Sequence, residues 1–273
     1  MTHATGFCKE VWRPVVEEAR RAGIDNEIVA LDFAGHGATP VRVDPGDWSG
    51  FTTDVAQVVD RLGSPVVGVG HSMGATALIL AELARPGSFA GLMLIEPVVF
   101  PDGGRDELLE RLERATLRRK GEFSDRAAAS SNFRGKPAFA GWHHAALEGY
   151  LDGGLVTVDG GVALSCPPQV EARVYPGAAR HRAWYRLHEL NLPVVVMASG
   201  ASAEFPPGFL GEIVQRITGA RALEVPGTSH FLPMERPDAV AAEMVTLISE
   251  DQTSREVGVD NPLSVVRPAA YPG

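Results

Sequence analysis

Short, uninterrupted apolar runs alternate along this chain with segments of helical spacing. Residues 9–22 place Val11, Trp12, Val15, Val16 and Ala19 on one side of a helix, and Gly23 stops it. Residues 27–32 form a brief apolar run that ends in the turn-rich Phe33-Ala34-Gly35-His36-Gly37. Helical spacing returns over 49–62 through Phe51, Val55, Val58 and Val59. Residues 66–70 (Val-Val-Gly-Val-Gly) read as a buried strand, 75–84 as a helix and 91–96 as a second buried strand. A strand with no polar alternation is covered on both faces, so the pattern predicts an α/β fold with a mostly parallel sheet.

The pattern changes between residues 100 and 190. A charged helix over 106–120 is followed by a Ser/Ala/Gly-rich stretch holding Phe139, Trp142, Tyr150, Trp184 and Tyr185. The strand pattern resumes at 193–198 and 222–225, and an amphipathic helix over 237–248 follows. The organisation expected is a core of residues 1–99 and 191–249 and a mainly helical cap insertion over 100–190. Its aromatic side chains are expected to line a pocket, which points to an apolar or aromatic acyl compound as the small-molecule substrate. The polar, Pro-containing segment 250–273 is expected to be disordered.

Composition narrows the partners. The 273 residues are enough for one core with a small lid. Lys plus Arg is 25 against 34 for Asp plus Glu, a net charge of −9, which disfavours nucleic acid or an anionic membrane surface. No apolar run reaches the ~18 residues of a membrane span. The N-terminus has no apolar signal core, and Cys8 and Cys166 fall in no metal or redox spacing. A cytoplasmic protein acting on a small molecule without cofactor or metal is the expectation.

Gly70-His71-Ser72-Met73-Gly74 lies between a buried strand and a helix. A serine there sits on a sharp strand-to-helix turn, with glycines leaving room for close backbone approach. The helix behind it favours a developing oxyanion. A serine hydroxyl needs a base to take its proton, and His230, on the loop after the last strand, has the right chemistry and place.

On these residues the chain resembles the α/β-hydrolase family. The likeness extends to His3-Ala4-Thr5-Gly6-Phe7, similar to the family's oxyanion loop with Ala4 in place of a glycine, and to Asp32-Phe33-Ala34-Gly35-His36-Gly37. The resemblance implies Ser72 as nucleophile, His230 as base, and the backbone amides of Thr5 and Met73 as oxyanion donors. It offers two positions for the acid that orients His230. One follows the strand at 194–198, where the expected position is Ala203 and Glu204 stands one residue on. The other is Glu96, which ends the strand after the nucleophile strand. A carboxylate closing a buried strand is costly unless paired, which favours Glu96 with Glu204 as the alternative. Relatives with an aspartate nucleophile, the haloalkane dehalogenases and epoxide hydrolases, are disfavoured by Ser72. The implied activity is hydrolysis of an ester or related acyl bond. The alternatives are carbon–carbon bond cleavage on the same residues, or a non-catalytic ligand-binding homologue.

The remaining conspicuous residues have plainer readings. His36 is expected to be structural, and the adjacent His143 and His144 diverge on any regular element. Arg118-Arg119-Lys120 reads as a solvated helix end, with contact to an anionic substrate as the sharper alternative. The resemblance also implies that the family's first strands are missing, so that Met1 and Thr2 supply only the last residues of an interior strand. Two expectations follow. Either the chain is an N-terminally shortened version of a longer protein, or the segment 27–32 closes directly against 66–70.

Overall fold

The computed structural model describes residues 1–42, 44–63, 65–200 and 208–256. After a 3-10 turn at Lys9–Trp12, the elements run α1 (Arg13–Arg21), α2 (Ser49–Leu62), β1 (Val66–His71), α3 (Met73–Ala84) and β2 (Phe89–Ile95). Then come α4 (Asp106–Leu117), β3 (Glu122–Phe123), α5 (Arg126–Arg134), α6 (His144–Gly153), β4 (Leu155–Val158), β5 (Gly161–Leu164) and α7 (Pro168–Val174). The last described elements are β6 (Val194–Ser199), α8 (Phe209–Gln215), β7 (Arg221–Val225), α9 (Leu232–Glu235) and α10 (Pro237–Glu256).

The central sheet is parallel, in the order β1-β2-β6-β7. Successive side chains of a strand point to opposite faces, and the core divides accordingly. Leu92, Leu94, Val194 and Val196 pack with Phe51 and Val55 of α2 and Leu78 of α3. Val69, Met93, Ile95, Val195 and Met197 pack on the other face with Val15 of α1 and Met244 of α10. Both faces are dry, which is why these strands read as continuous apolar runs. The register puts His71 beside Ile95 and Ile95 beside Met197, so the C-terminal ends of three strands lie level.

Thr2 extends this sheet beyond β1. It forms parallel bridges to both Gly70 and Leu31. Its N–H donates to the Val69 carbonyl at 2.9 Å, and its carbonyl accepts from His71 at 3.0 Å. Direct closure of 27–32 against 66–70 is therefore not what the fold does, and the strand expected over 27–32 is reduced to the bridge at Leu31. A cavity of about 420 Å³ lies between the two segments, lined by Met1, Ile28, Val29, Val66, Val67 and Gly68. The Met1 amine donates to the Val29 carbonyl at 2.5 Å, and burial pushes its pKa down to about 5.

The segment between β2 and β6 is mainly helical and also holds a small antiparallel sheet of β3, β5 and β4 in that order, which the sequence reading did not include. Its signal was the Asp159-Gly160 pair joining two short apolar runs, with Gly160 at φ +80. The last helix also runs to Glu256, past the boundary expected at 250. Its final residues are polar and carry no periodicity, yet each extends an existing helix at the cost of one residue's freedom per added bond. The rest of the expected tail, 257–273, lies outside the described residues. Among the described residues no helix is long and apolar enough to cross a membrane.

Candidate active site

Ser72 occupies the turn between β1 and α3 at φ 55 and ψ −119. A side chain in that region costs about 1–3 kcal/mol and persists only where the surroundings fix it. Here the Ser72 amide donates to the Ile95 carbonyl at 2.8 Å. The glycines permit the approach. A Cβ on Gly70 would stand 2.7 Å from the Ala75 backbone, and one on Gly74 2.5 Å from the Thr2 carbonyl oxygen. The tight turn therefore brings α3 against the Thr2-His3 backbone.

Glu96 ends the neighbouring strand, also at positive φ, 47°. Its amide donates to the Met197 carbonyl at 2.9 Å. The side chain is fully buried and its two oxygens divide their partners. Oε1 accepts from the Ser199 amide at 2.8 Å and the Ser199 hydroxyl at 2.5 Å. Oε2 accepts from His230 Nδ1 at 2.5 Å. The opposite ring nitrogen, Nε2, accepts from the Ser72 hydroxyl at 3.1 Å. Three residues far apart in sequence thus form one hydrogen-bonded line, Ser72–His230–Glu96. Burial acts to raise the Glu96 carboxyl pKa, but the hydrogen bond and charge of His230, with the bonds from Ser199, hold it below the ordinary value.

The histidine loop is pinned from two sides. His71 Nε2 donates to the His230 carbonyl at 2.7 Å. Glu235 accepts from the Ser229 amide at 2.7 Å and from the Ser229 hydroxyl at 2.6 Å. Ser199, His71 and Glu235 were not singled out from sequence. Of these only His71 carried a signal, by standing inside the glycine-serine motif. Glu204 lies outside the described residues.

Ser72 and His230 open into a cavity of about 310 Å³. Thr5, Phe7, Trp48, Phe100, Leu109 and Phe231 are among its walls. Of the five aromatic residues expected to line the pocket, Phe139 does. Trp142 and Tyr150 instead pack edge-on against Phe7 at 5.3 and 5.4 Å between ring centroids, forming the layer behind the wall. Trp184 stacks on Phe209 with Arg216 over its other side, and Tyr185 lies on the surface under Arg182. Burial of a large ring in a core is the commoner fate, and spacing alone does not separate the two. His36 is fully buried, with Nδ1 donating to the Ala34 carbonyl at 3.2 Å. His143 caps α6 by accepting from the Ala145 amide, while His144 is exposed beside Glu148, so the pair diverges. The basic run splits: Lys120 lies over the Phe123 ring, but Arg119 turns inward to the cavity and pairs with Glu171.

A profile of the alpha/beta hydrolase family matches residues 1–243. The chain belongs to that family. Human monoglyceride lipase is 42% identical over 83 residues, 28% of this chain and 27% of that protein. Lipase LipV of Mycobacterium tuberculosis is 38% identical over 79 residues, 29% of this chain and 30% of that protein. The match thus spans less than a third of each curated relative's length. Among solved structures, E-2-(acetamidomethylene)succinate hydrolase superposes with a TM-score of 0.79 at 20% identity, covering 91% of this chain and 90% of that one. The peroxisomal hydrolase Lpx1 of Saccharomyces cerevisiae gives 0.77 at 18% identity, covering 97% and 85%. At these identities the likeness concerns the fold.

Proposed function

We propose that this protein is a serine hydrolase that cleaves an ester or related acyl bond of a largely apolar small molecule. The observation that carries the reading is the hydrogen-bonded line from the Ser72 hydroxyl through His230 to Glu96. Ser72 Oγ attacks the acyl carbonyl while its proton passes to His230 Nε2. Glu96 holds the imidazole with Nδ1–H toward it and balances the charge of the imidazolium. The tetrahedral oxyanion lies toward the backbone N–H groups of Thr5 and Met73. Met73 is the first residue of α3, and Thr5 stands on the loop that Gly74 allows to approach. A donor of this kind is worth about 3–4 kcal/mol in comparable sites. The proton on Nε2 moves to the leaving oxygen, and the acyl group remains on Ser72. Water then attacks the acyl-enzyme and gives its proton to His230, which passes it to the departing Ser72 Oγ as the acid is released.

The segment between β2 and β6 acts in this reading as a lid, since Leu108, Leu109 and Leu112 of α4 and Phe139 border the cavity. Monoglyceride lipase and Lipase LipV, by their names, act on lipid esters, and an apolar cavity suits an acyl chain. The test is labelling with a fluorophosphonate probe, comparing the protein with Ser72→Ala. Labelling that depends on Ser72 is expected, followed by turnover of p-nitrophenyl esters. A folded protein that takes no label and turns over no ester would leave the non-catalytic ligand-binding homologue as the better reading. Labelling with turnover of a diketone but no ester would favour carbon–carbon hydrolysis.

A further inference from the structure

The cavity in front of Ser72 has one polar corner in an otherwise apolar wall. Arg119, Lys136 and Glu171 border it. Arg119 donates one guanidinium nitrogen to Glu171 and another to the Tyr150 hydroxyl at 3.1 Å. Glu171 is 3% exposed, and the Tyr175 hydroxyl lies 3.5 Å from its other oxygen. The corner adjoins the loop of Thr5, because a Cβ on Gly6 would stand 2.6 Å from the Glu171 carboxyl group.

The charges do not balance. Glu171 answers Arg119. Among the described residues no carboxylate lies within 4 Å of the Lys136 ammonium, whose close neighbour is the Phe133 ring at 5.5 Å. Burial lowers the Lys136 pKa, and the nearby Arg119 charge lowers it further. Two cations bordering one partly apolar recess repel each other more strongly than they would in water. One more negative charge, brought by a ligand, relieves this. A single excess positive charge matches a monoanion, which at neutral pH describes a carboxylate.

We infer that the substrate carries a carboxylate, seated at Lys136 beside the Arg119–Glu171 pair, with an apolar stretch between it and the scissile acyl bond. This rests on the hydrolase reading of Ser72 and narrows it to acidic esters. Arg119 is held by Glu171 and Tyr150 and stiffens the corner, while Lys136 supplies the free charge.

The experiment uses matched p-nitrophenyl esters: monoesters of succinate, glutarate, adipate and suberate, each against the neutral acyl ester of equal length. At least one acidic ester is expected to exceed its neutral partner in kcat/KM, mainly through KM. Lys136→Met is expected to reduce that acid-to-neutral ratio roughly tenfold, the worth of one hydrogen bond to a charged group. Lys136→Arg should retain it. A second pair, butyrate esters of 4-hydroxybenzoate and of 4-hydroxybenzamide, moves the charge to the leaving group. A Lys136-dependent preference there instead would place the carboxylate on the alcohol side. No acidic preference in either arm, or a preference untouched by Lys136→Met, overturns the inference while leaving the hydrolase reading intact. If Ser72 takes no label, the hydrolase reading fails, and the corner is judged by binding alone. Glutarate, adipate and suberate should then raise the melting temperature of the protein but not of Lys136→Met, and the absence of such a difference overturns it.

Discussion

The carboxylate of Glu96 receives two hydrogen bonds from Ser199 on one oxygen and keeps the other for His230. Ser199 ends the strand adjacent to the one Glu96 closes, so the sheet itself aims the carboxylate. On the proposed mechanism Glu96→Gln therefore reduces kcat by roughly 10³- to 10⁴-fold, because a carboxamide no longer enforces the productive tautomer. Ser199→Ala should cost about tenfold, since one charged hydrogen bond is lost while the amide bond stays. Steady-state kinetics on the two variants, with Glu204→Gln beside them, checks this. Activity that survives Glu96→Gln and disappears in Glu204→Gln would assign the acid to Glu204.

Acid should unfold this protein earlier than carboxylates alone would require. His3, His36 and His71 are fully buried. Burial pushes His36 and His71 down to about 3, aided by the charge of His3 and His230 respectively, and burial lowers His3 as well. The unfolded chain takes up these protons near the ordinary 6.5, whereas the folded chain does not. Stability from the three imidazoles is complete above about 6.5 and is lost as pH falls from there, for His36 and His71 down toward 3. Glu96, whose carboxyl is held below its ordinary 4.5, adds a further loss at lower pH. Melting temperature should thus decline steadily from pH 7 to pH 5. A flat profile over that interval would contradict the neutral, buried state of these rings.

Gly74→Ala should disable the elbow. The added Cβ would meet the Thr2 carbonyl oxygen at 2.5 Å and that of His3 at 2.6 Å, so α3 and the Thr5 loop must separate. Overpacking of this kind costs about 1–3 kcal/mol, and the fluorophosphonate label should be lost with it. Gly211 makes the contrast: it lies within α8, and a Cβ there meets nothing within 4 Å. Gly211→Ala should leave labelling unchanged and stabilise by about 0.4–1 kcal/mol. Equal melting temperatures and equal labelling for both variants would refute the packing argument.

Much of this was legible in the chain. Continuous apolar runs gave a sheet covered on both faces, and α2 was placed residue for residue, because sustained periodicity survives whatever packs on it. Ser72 stood out because the turn before α3 demands small flanking residues, His230 because it follows the last strand, and Glu96 because a carboxylate ending an apolar strand asks for a partner; the fold brings the three within hydrogen-bond distance. The choice of Glu96 to meet His230 was a matter of register, since it depends on Ile95 lying beside both His71 and Met197. Which aromatic rings faced the cavity and which backed it was equally beyond the pattern, because a buried ring has the same spacing in either place. Arg119 read as a solvated helix end and turned inward, since its partners, Glu171 and Tyr150, are distant in sequence and close only once folded. Sequence determined what depends on neighbours along the chain: the strands, the helices and the strained serine turn. The tertiary structure decided what depends on neighbours across it. Hydrogen bonds, charge balance and cavity walls act over a few ångströms of space, whatever the separation in sequence.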